Sequence, residues 1–335
     1  MKLCIVKLTA MGDIIHAMVI LQFIKKQRPE IQIDWIVENG FKGVLENNPH
    51  IDNIFSVNLK AIKKKKMEIF SQISLINSYA KNNYDLVIDA QGLFKSAVVS
   101  KILGGRVVGS QIVGFDKDSI RESIASRFYD KGFSISYGLN KIDRNAILAR
   151  KALKIELDRD MILEKEPFLY YKDVEFDFLS KDKKNIIFVV GSSWPSKNYP
   201  KEKYLELSKK FDENIIIVWG NEEEKSYADF IKEGNDKVIV APKVSLDALK
   251  CLISKCNLVI GNDTGPTHMA WALNIPSIML FGPTPVQQAY ETDINKVIKS
   301  SSKVNPYKLD RNDFSIKEIE PQNIYDLAIK LLGSY

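Results

Sequence analysis

The sequence predicts an α/β protein made of two doubly wound, Rossmann-like domains that face a cleft. Apolar runs of strand length alternate with amphipathic segments of helix length, which is the pattern of a parallel sheet covered by helices. The alternation occurs twice, because it pauses in a charged stretch at residues 157–184 and then begins again. A chain of 335 residues is long enough for two such domains, each with its own core.

The first series, which we place at residues 1–165, begins with a βαβ unit. An apolar strand at Lys2–Leu8 is followed by an amphipathic helix, which ends at Pro29 because proline cannot continue it. Ile31–Val37 is the next strand. Further strands are predicted at Asn53–Val57, Asp85–Asp89 and Arg106–Gly109.

The second series, which we place at residues 166–320, repeats this alternation. Its strands are predicted at Asn185–Val190, Ile215–Trp219, Lys237–Val240, Asn257–Ile260 and Ser277–Phe281. Helices are predicted near Lys201–Phe211 and Glu222–Lys232. The remaining residues, 321–335, contain a helix at Gln322–Leu332 that we expect to pack back on the first domain.

The composition is that of a soluble globular protein, with 45% hydrophobic and 27% charged residues. Apolar runs are much shorter than the roughly 20 residues that cross a bilayer, and the N-terminus does not resemble a signal peptide, so we expect a cytoplasmic protein. The three cysteines lack the paired spacing of a zinc site. A net charge of +6 fits an anionic substrate or membrane surface, while the scattered basic residues do not favour nucleic-acid binding.

Ligands of open parallel sheets bind beyond the carboxyl ends of the strands, which directs attention to the loops at residues 9–13, 89–96, 191–198 and 261–268. In the first of these loops, Asp13 suits a general base that takes a proton from a hydroxyl, provided that its pKa is raised toward the working pH. The alternative is a helix-capping aspartate.

Two loops of the second domain suit a nucleotide diphosphate. Gly261–His268 lies between a strand and a helix, where glycines let the backbone approach a ligand and free N–H groups hold phosphate; the alternative is a helix cap with a tight turn. After the first strand of this domain, Ser192 and Ser193 supply hydroxyls and Lys197 supplies a cation, which can contact a diphosphate. The alternative is a solvated loop, which has the same composition. Glu222 follows the next strand, where a carboxylate suits either ribose hydroxyls or a helix start.

Basic residues of the first domain suit an anionic acceptor. Lys95 and Arg121 can bind carboxylate or phosphate, and the run Lys63–Lys66 can do the same or touch an anionic membrane, although lysine runs are also common on solvated faces. The triplets Asp116–Asp118 and Asp158–Asp160 lie in charged segments that do not close a strand, so we predict no metal site.

Three of these loops resemble a known family. The segments Lys7–His16 (KLTAMGDIIH), Val87–Ser96 (VIDAQGLFKS) and Asp263–His268 (DTGPTH) occur in order and at suitable separations. Together they resemble the lipopolysaccharide heptosyltransferases over nearly the whole chain, and the Asp-Ala-Gln-Gly stretch favours the heptosyltransferase I group over group II.

The resemblance implies the two-domain GT-B fold, an ADP-heptose donor, a Kdo-lipid A acceptor, inversion without a metal or other cofactor, and peripheral contact with the cytoplasmic face of the inner membrane. It implies that Asp13 is the base and that Lys95 and Arg121 lie on the acceptor side. The loop after Trp219 is shorter than in the family, so the ribose position can differ from Glu222 by one or two residues. The implied donor-binding residues are Ser192, Ser193, Lys197, Glu222, Asp263, Thr264, Gly265 and His268.

Other functions remain open at this point. Within the same class, the alternatives are heptosyltransferase II or another core transferase. From different classes, the alternatives are a nucleotide-sugar epimerase of similar fold and a non-catalytic nucleotide-sugar sensor. An epimerase converts the donor without an acceptor, whereas a sensor binds the donor and releases no ADP.

Overall fold

The computed structural model describes residues 1–105, 107–305 and 308–333, apart from the side chain of Lys63. The chain forms two compact units, Met1–Tyr170 and Tyr171–Tyr335. The change of unit falls inside the charged stretch at which the alternation of strands and helices pauses.

The first unit contains a six-stranded parallel sheet. Its strands are β1 (Lys2–Val6), β2 (Gln32–Glu38), β3 (Asn53–Val57), β4 (Leu86–Asp89), β5 (Gln111–Phe115) and β6 (Lys131–Phe133). Its helices are α1 (Met11–Met18), α2 (Ile20–Gln27), α3 (Lys42–Leu45), α4 (Leu59–Lys64), α5 (Glu68–Tyr79), α6 (Phe94–Gly104), α7 (Lys141–Leu153) and α8 (Arg159–Leu163). The strand order is β3-β2-β1-β4-β5-β6. The strand order therefore reverses between β1 and β4, where a ligand crevice is expected.

The second unit repeats this topology. Its strands are β7 (Asn185–Val189), β8 (Asn214–Val218), β9 (Ile239–Val240), β10 (Leu258–Asn262), β11 (Ser277–Phe281) and β12 (Asn295–Lys299). Its helices are α9 (Lys201–Ser208), α10 (Glu222–Gly234), α11 (Leu246–Ser254), α12 (Gly265–Ala272) and α13 (Pro321–Gly333). The strand order β12-β11-β10-β7-β8-β9 reverses between β7 and β10. The predicted fold class is confirmed.

The central strands are buried because helices cover both faces of a parallel sheet. In β1, Leu3, Cys4, Ile5 and Val6 are all fully buried, which explains why this segment is an uninterrupted apolar run. Among the described residues, no helix combines the length and apolar character needed to cross a membrane.

The positions of two elements need comment. The strand expected at Arg106–Gly109 lies instead at Gln111–Phe115, and residues 107–109 belong to the turn before it; Arg106 is outside the described residues. The apolar stripe of α13, formed by Ile324, Ala328 and Leu331, is buried in the core of the second unit. The expectation that this helix also packs back on the first domain stays a prediction.

Candidate active site

Asp89 organises the loop that follows β4. Its buried carboxylate accepts hydrogen bonds from the backbone N–H groups of Gln91 (2.9 Å) and Gly92 (3.0 Å). It also accepts hydrogen bonds of 2.8 Å from the hydroxyls of Ser96 and Tyr129. Burial raises the pKa of Asp89 above its ordinary value, although these hydrogen bonds act in the opposite direction. A carboxylate with so many partners is a structural anchor.

Gln91 joins this loop to the loop between β1 and α1. Its Oε1 atom accepts hydrogen bonds of 3.1 Å from the backbone N–H groups of both Leu8 and Thr9. The buried Nζ atom of Lys7 donates to the carbonyl of Ala90 at 2.8 Å. The two loops at the reversal of strand order are therefore held together by hydrogen bonds, which limits the movement of the segment that leads to Asp13.

Asp13 lies in the first turn of α1, and about a quarter of its side chain is exposed. Its carboxylate accepts a hydrogen bond of 3.3 Å from the backbone N–H of Ala10 and forms an ion pair of 2.8 Å with Lys141. Burial raises the pKa of Asp13, but the nearby Lys141 and Lys7 ammonium groups lower it by more, so the pKa lies well below its ordinary value. The expectation of a raised pKa is therefore wrong. Asp13 is therefore ionised at neutral pH, and its contact with the Ala10 N–H makes it a helix-capping residue.

Lys141 is a neighbour of Asp13 that the sequence did not indicate. It is the first residue of α7, which follows the first sheet, and no pattern links it to the loop after β1. Its side chain is 43% exposed, so water and an incoming anion can reach the ammonium group. An anion that binds here would compete with Asp13 for Lys141.

Lys95 and Arg121 lie in neighbouring segments and are both exposed. Lys95 is in the first turn of α6, and Arg121 is in the loop after β5. The backbone N–H of Phe94 donates a 2.7 Å hydrogen bond to the Glu122 carboxylate, which joins the two segments. Within the part of the chain that is described, neither Lys95 nor Arg121 has an ion pair or a side-chain hydrogen bond. Both cations are therefore available to an anion.

Asp263 is the centre of a buried polar cluster at the end of β10. Its carboxylate lies 2.8 Å from Nζ of Lys197, 3.2 Å from Nε2 of His268 and 2.9 Å from the hydroxyl of Thr284. Asp263 is 4% exposed. Burial raises its pKa, but Lys197 and His268 lower it by more, and the pKa remains well below its ordinary value. The structure therefore brings together three residues that the sequence placed in two separate loops.

Asn262 holds those two loops in register. Its amide nitrogen donates to the carbonyl of Val190 at 3.0 Å, and its amide oxygen accepts from the N–H of Tyr199 at 3.0 Å. Its own carbonyl accepts a hydrogen bond of 2.8 Å from the hydroxyl of Thr267. These contacts fix both ends of the loop at residues 191–198, and so they place Lys197 beside Asp263.

The start of α12 forms an anion-binding position next to this cluster. Thr264 is the N-cap residue, and its side chain makes no capping hydrogen bond; the helix begins at Gly265. The first N–H groups of a helix have no acceptor within the helix, and the helix dipole adds partial positive charge at the same end. A phosphate can therefore bind here, with Lys197 and His268 close by.

The predicted hydroxyl residues of the loop differ from each other. The hydroxyl of Ser192 lies 2.9 Å from the carbonyl of Trp194 and 2.6 Å from Oδ1 of Asn198, so it stabilises the loop itself. Ser193 is exposed, and its side chain is open to a ligand.

The acidic residue beside this loop is Glu224, and Glu222 is exposed at the start of α10. The Glu224 carboxylate accepts hydrogen bonds from the N–H of Gly220 (2.7 Å) and from the amide of Asn221 (2.8 Å). A Cβ atom added to Gly191 would overlap the Glu224 carboxylate, so the two residues are in contact. Glu224 is therefore a second candidate for the ribose position, while the assignment to Glu222 stays a prediction.

The chain is similar to known proteins over nearly its whole length. The model of glycosyltransferase family 9 (heptosyltransferase) matches residues 73–313. The chain is 40% identical to lipopolysaccharide heptosyltransferase 1 of Campylobacter coli, with 99% of both chains covered. The chain belongs to glycosyltransferase family 9. It is 27% identical to lipopolysaccharide heptosyltransferase 1 of Pseudomonas aeruginosa, over 96% of this chain and 93% of that protein.

Solved structures confirm the GT-B fold of this family 9 glycosyltransferase. The E. coli heptosyltransferase WaaC with ADP has a TM-score of 0.81 and 24% identity, covering 99% of this chain and 100% of that one. E. coli ADP-heptose lps heptosyltransferase II has a TM-score of 0.76 and 20% identity, covering 100% of this chain and 99% of that one.

Two more side chains of the glycosyltransferase lie near the Lys197 loop and were not predicted. Arg311 stacks on the ring of Trp194 at 4.7 Å, and Nζ of Lys197 lies 5.8 Å from the same ring. Thr284 donates its hydrogen bond to Asp263 from the loop after β11. Arg311 and Thr284 belong to no recognisable motif. Each lies in a different segment of the sequence from the residue that it contacts.

The described part of this glycosyltransferase contains no group of three or more histidine, cysteine or acidic side chains arranged to hold a metal ion. In the Asp116–Asp118 triplet, Asp116 accepts a hydrogen bond from the hydroxyl of Ser119. A reaction that needs no metal stays a prediction.

Proposed function

We propose that this glycosyltransferase transfers heptose from ADP-heptose to the Kdo of a Kdo-lipid A acceptor, with inversion at the anomeric carbon and without a metal. This reaction is a step in the synthesis of the lipopolysaccharide inner core. The single observation that carries the proposal is the buried cluster of Lys197, Asp263 and His268 beside the start of α12. Such a cluster suits a diphosphate, and relatives over the full length of the chain are named lipopolysaccharide heptosyltransferase 1.

The donor-side residues stabilise the leaving ADP. Negative charge grows on the diphosphate as the bond from the anomeric carbon to the phosphate oxygen breaks. Lys197 and the N–H groups at the start of α12 offset that charge, and they are already oriented because Asp263 and Asn262 hold the loop. Ser193 and Thr264 contribute hydroxyl donors, His268 contributes its imidazole, and Glu224 accepts from the ribose hydroxyls.

On the acceptor side, Asp13 takes the proton of the attacking hydroxyl. A carboxylate with a low pKa is a weak base toward a free hydroxyl. The transition state has oxocarbenium character, however, and the hydroxyl becomes acidic as its oxygen bonds to the anomeric carbon. Proton transfer to Asp13 is therefore favourable late in the step. Lys95 and Arg121 bind the carboxylate or phosphate groups of the acceptor.

The acceptor is a membrane lipid, so the enzyme works peripherally at the cytoplasmic face of the inner membrane. The positive net charge is favourable at an anionic leaflet.

The test is ADP release from ADP-heptose, measured with and without Kdo-lipid A, in the wild type and in Asp13→Asn. We expect acceptor-dependent release in the wild type and a loss of roughly 10²–10⁴-fold in kcat for the variant, with ADP affinity unchanged. Asp160→Asn is the matched control, because Asp160 is an exposed aspartate in the first turn of another helix. Near-normal turnover of Asp13→Asn would exclude Asp13 as the base.

The same assay separates the alternative functions. Release only with heptosyl-Kdo-lipid A would identify a heptosyltransferase II. Conversion of ADP-heptose without any acceptor would identify an epimerase. Binding of ADP-heptose without release in either mixture would identify a sensor.

A further inference from the structure

Exposed apolar side chains are concentrated at the N-terminal end of α5. Met67 and Phe70 are 67% and 68% exposed, and Ile69 and Ile73 are also exposed. These four residues, which we call the apolar patch, lie within two turns of one helix. The outer face of a helix in a soluble protein is ordinarily polar, so a contiguous apolar patch marks an interaction surface.

The core does not require this patch, because another face of α5 packs against the sheet. Ile76 is buried in the core of the first unit, and the ring of Tyr79 stacks on Phe55 with 4.5 Å between ring centroids. The hydroxyl of Tyr79 donates a hydrogen bond of 2.9 Å to the carbonyl of Ser56. The helix is therefore anchored on one side, and it presents the apolar patch on the other.

The patch lies next to a concentration of positive charge. Residues 59–73 contain five lysines, at position 60 and at positions 63–66, and the only acidic residue among them is Glu68. The Glu68 carboxylate lies 3.9 Å from Nζ of Lys65. Lysines beside exposed apolar side chains are the combination that binds an anionic lipid surface, because the cations attract phosphate headgroups while the apolar side chains enter the acyl boundary.

This segment begins beside the loop that carries the proposed base. The backbone N–H groups of Leu59 and Lys60 donate to the Glu38 carboxylate at 3.3 and 3.1 Å. The N–H of Glu38 in turn donates to the carbonyl of Leu8 at 3.2 Å, in the loop that leads to Asp13. The start of α4 and the β1–α1 loop are thus linked at the carboxyl edge of the first sheet.

We propose that residues 59–73 are a membrane-docking surface, with the apolar patch inserted among the lipids of an anionic bilayer and the side chains of Lys60, Lys64, Lys65 and Lys66 on lipid phosphates. This inference rests on the proposed function, because a lipid-borne acceptor presents its sugar at the bilayer surface. Docking through residues 59–73 brings the carboxyl edge of the first sheet, and with it Asp13, to the height of that sugar.

The experiment measures co-sedimentation of the full-length protein with vesicles of phosphatidylglycerol and phosphatidylcholine, and with vesicles of phosphatidylcholine alone. The test variants are Phe70→Glu and the double variant Lys64→Gln/Lys66→Gln. The matched control is Val108→Glu, since Val108 is fully exposed on the turn before β5, outside residues 59–73. Each protein is also assayed for ADP release with a water-soluble acceptor that lacks acyl chains.

We expect the wild type to bind the anionic vesicles and Phe70→Glu to bind them at least about tenfold more weakly. Each lysine replacement should weaken binding roughly fivefold and reduce its dependence on salt. Val108→Glu should bind like the wild type. Turnover of the soluble acceptor should be the same in the wild type, Phe70→Glu and Val108→Glu, since neither Phe70 nor Val108 is among the proposed base, donor-binding or acceptor-binding residues.

Two results would overturn the inference. One is wild-type binding by Phe70→Glu. The other is a protein that ignores anionic vesicles but forms a dimer that Phe70→Glu disrupts, which would assign the patch to a second copy of the chain. Either result leaves the soluble-acceptor assay intact, so failure of the docking surface is distinguishable from failure of the proposed transferase activity.

Discussion

Replacing Lys197 with methionine should destabilise the second unit as well as reduce activity. The change removes the ammonium group that lies 2.8 Å from the Asp263 carboxylate and keeps an unbranched side chain of similar length. Asp263 is buried and retains only His268 and Thr284 as side-chain partners. A buried charge that loses its counter-ion keeps its desolvation penalty, so we expect a loss of about 3–5 kcal/mol in the free energy of unfolding.

The loss should depend on pH in a defined direction. In the wild type the pKa of Asp263 is well below its ordinary value of 3.8, so the stabilisation is present above that pH and is lost as the pH falls through the low folded-state pKa. In Lys197→Met, burial without Lys197 raises the pKa of Asp263. Protonation then relieves the penalty as the pH falls. The difference in unfolding free energy between variant and wild type should therefore shrink between about pH 7 and pH 4.5.

Urea unfolding followed by tryptophan fluorescence measures this difference. Three of the four tryptophans, Trp194, Trp219 and Trp271, lie in the second unit, so the signal reports mainly on that unit. Lys203→Met is the control, because Lys203 forms an ion pair of similar length, 2.9 Å, with a carboxylate that is 64% exposed. We expect the control to lose at most about 1 kcal/mol. Equal losses in the two variants, or a loss in Lys197→Met that does not change with pH, would refute the reasoning.

A second replacement separates stability from catalysis. Lys197→Met/Asp263→Asn removes both charges, so it should recover much of the stability lost in Lys197→Met. It should not recover activity, because the leaving diphosphate still lacks the Lys197 cation; we expect kcat to remain about 10²–10³-fold below wild type. ADP release and urea unfolding on the same preparations test both statements. Recovery of activity in the double variant would show that Lys197 acts only through the fold.

Three further predictions concern the other site residues. Lys141→Met should move the acidic limb of the pH–kcat/KM profile to higher pH, because the pKa of Asp13 rises when its counter-ion is lost; an unmoved limb would contradict the pairing. Gln91→Leu should lower kcat roughly tenfold or more with ADP affinity unchanged, since it releases the loop before Asp13, whereas Gln91→Glu keeps the acceptor oxygen and most activity. Glu224→Ala should weaken ADP binding roughly tenfold by calorimetry while Glu222→Ala changes it less than twofold, and the reverse order would favour Glu222 at the ribose position.

The fold could be predicted because the central strands are recognisable in the sequence as apolar runs. Strands such as β1 and β10 are short apolar runs followed by glycine, polar or hydroxyl residues, so both the strand and its carboxyl-end loop could be located. The edge strands β3 and β9 were also predicted, but the edge strands β6 and β12 were not. Lys131–Phe133 and Asn295–Lys299 are short and partly polar because one side of an edge strand meets solvent, and the sequence did not indicate either.

The candidate site residues that lie in sequence motifs could be predicted. The residues that contact them from distant segments could not. Asp13, Lys197 and Asp263 follow strands that face the reversal of strand order, so topology alone brings their loops to the right edge. Lys141 and Thr284 reach those residues from helices and loops elsewhere, and only the packed structure shows them. The sign of the Asp13 pKa shift was wrong for the same reason, because it depends on Lys141.

The two units arrange their polar residues in the same way, although the residues that we assign to chemistry carry opposite charges. In each unit, a polar residue at the end of a central strand holds neighbouring loops by hydrogen bonds. This residue is Asp89 in the first unit and Asn262 in the second. The charged residue that we assign to chemistry is paired with an opposite charge in each unit, Asp13 with Lys141 and Lys197 with Asp263. The two ion pairs differ in burial. The Lys141–Asp13 pair is partly exposed to solvent, whereas the Lys197–Asp263 pair is buried. In the proposed mechanism, the exposed pair separates when an acceptor arrives, which frees Asp13 to act as the base. The buried pair keeps the Lys197 cation in place as the diphosphate departs. Burial of the ion pair therefore distinguishes the residue that must be released from the residue that must stay fixed.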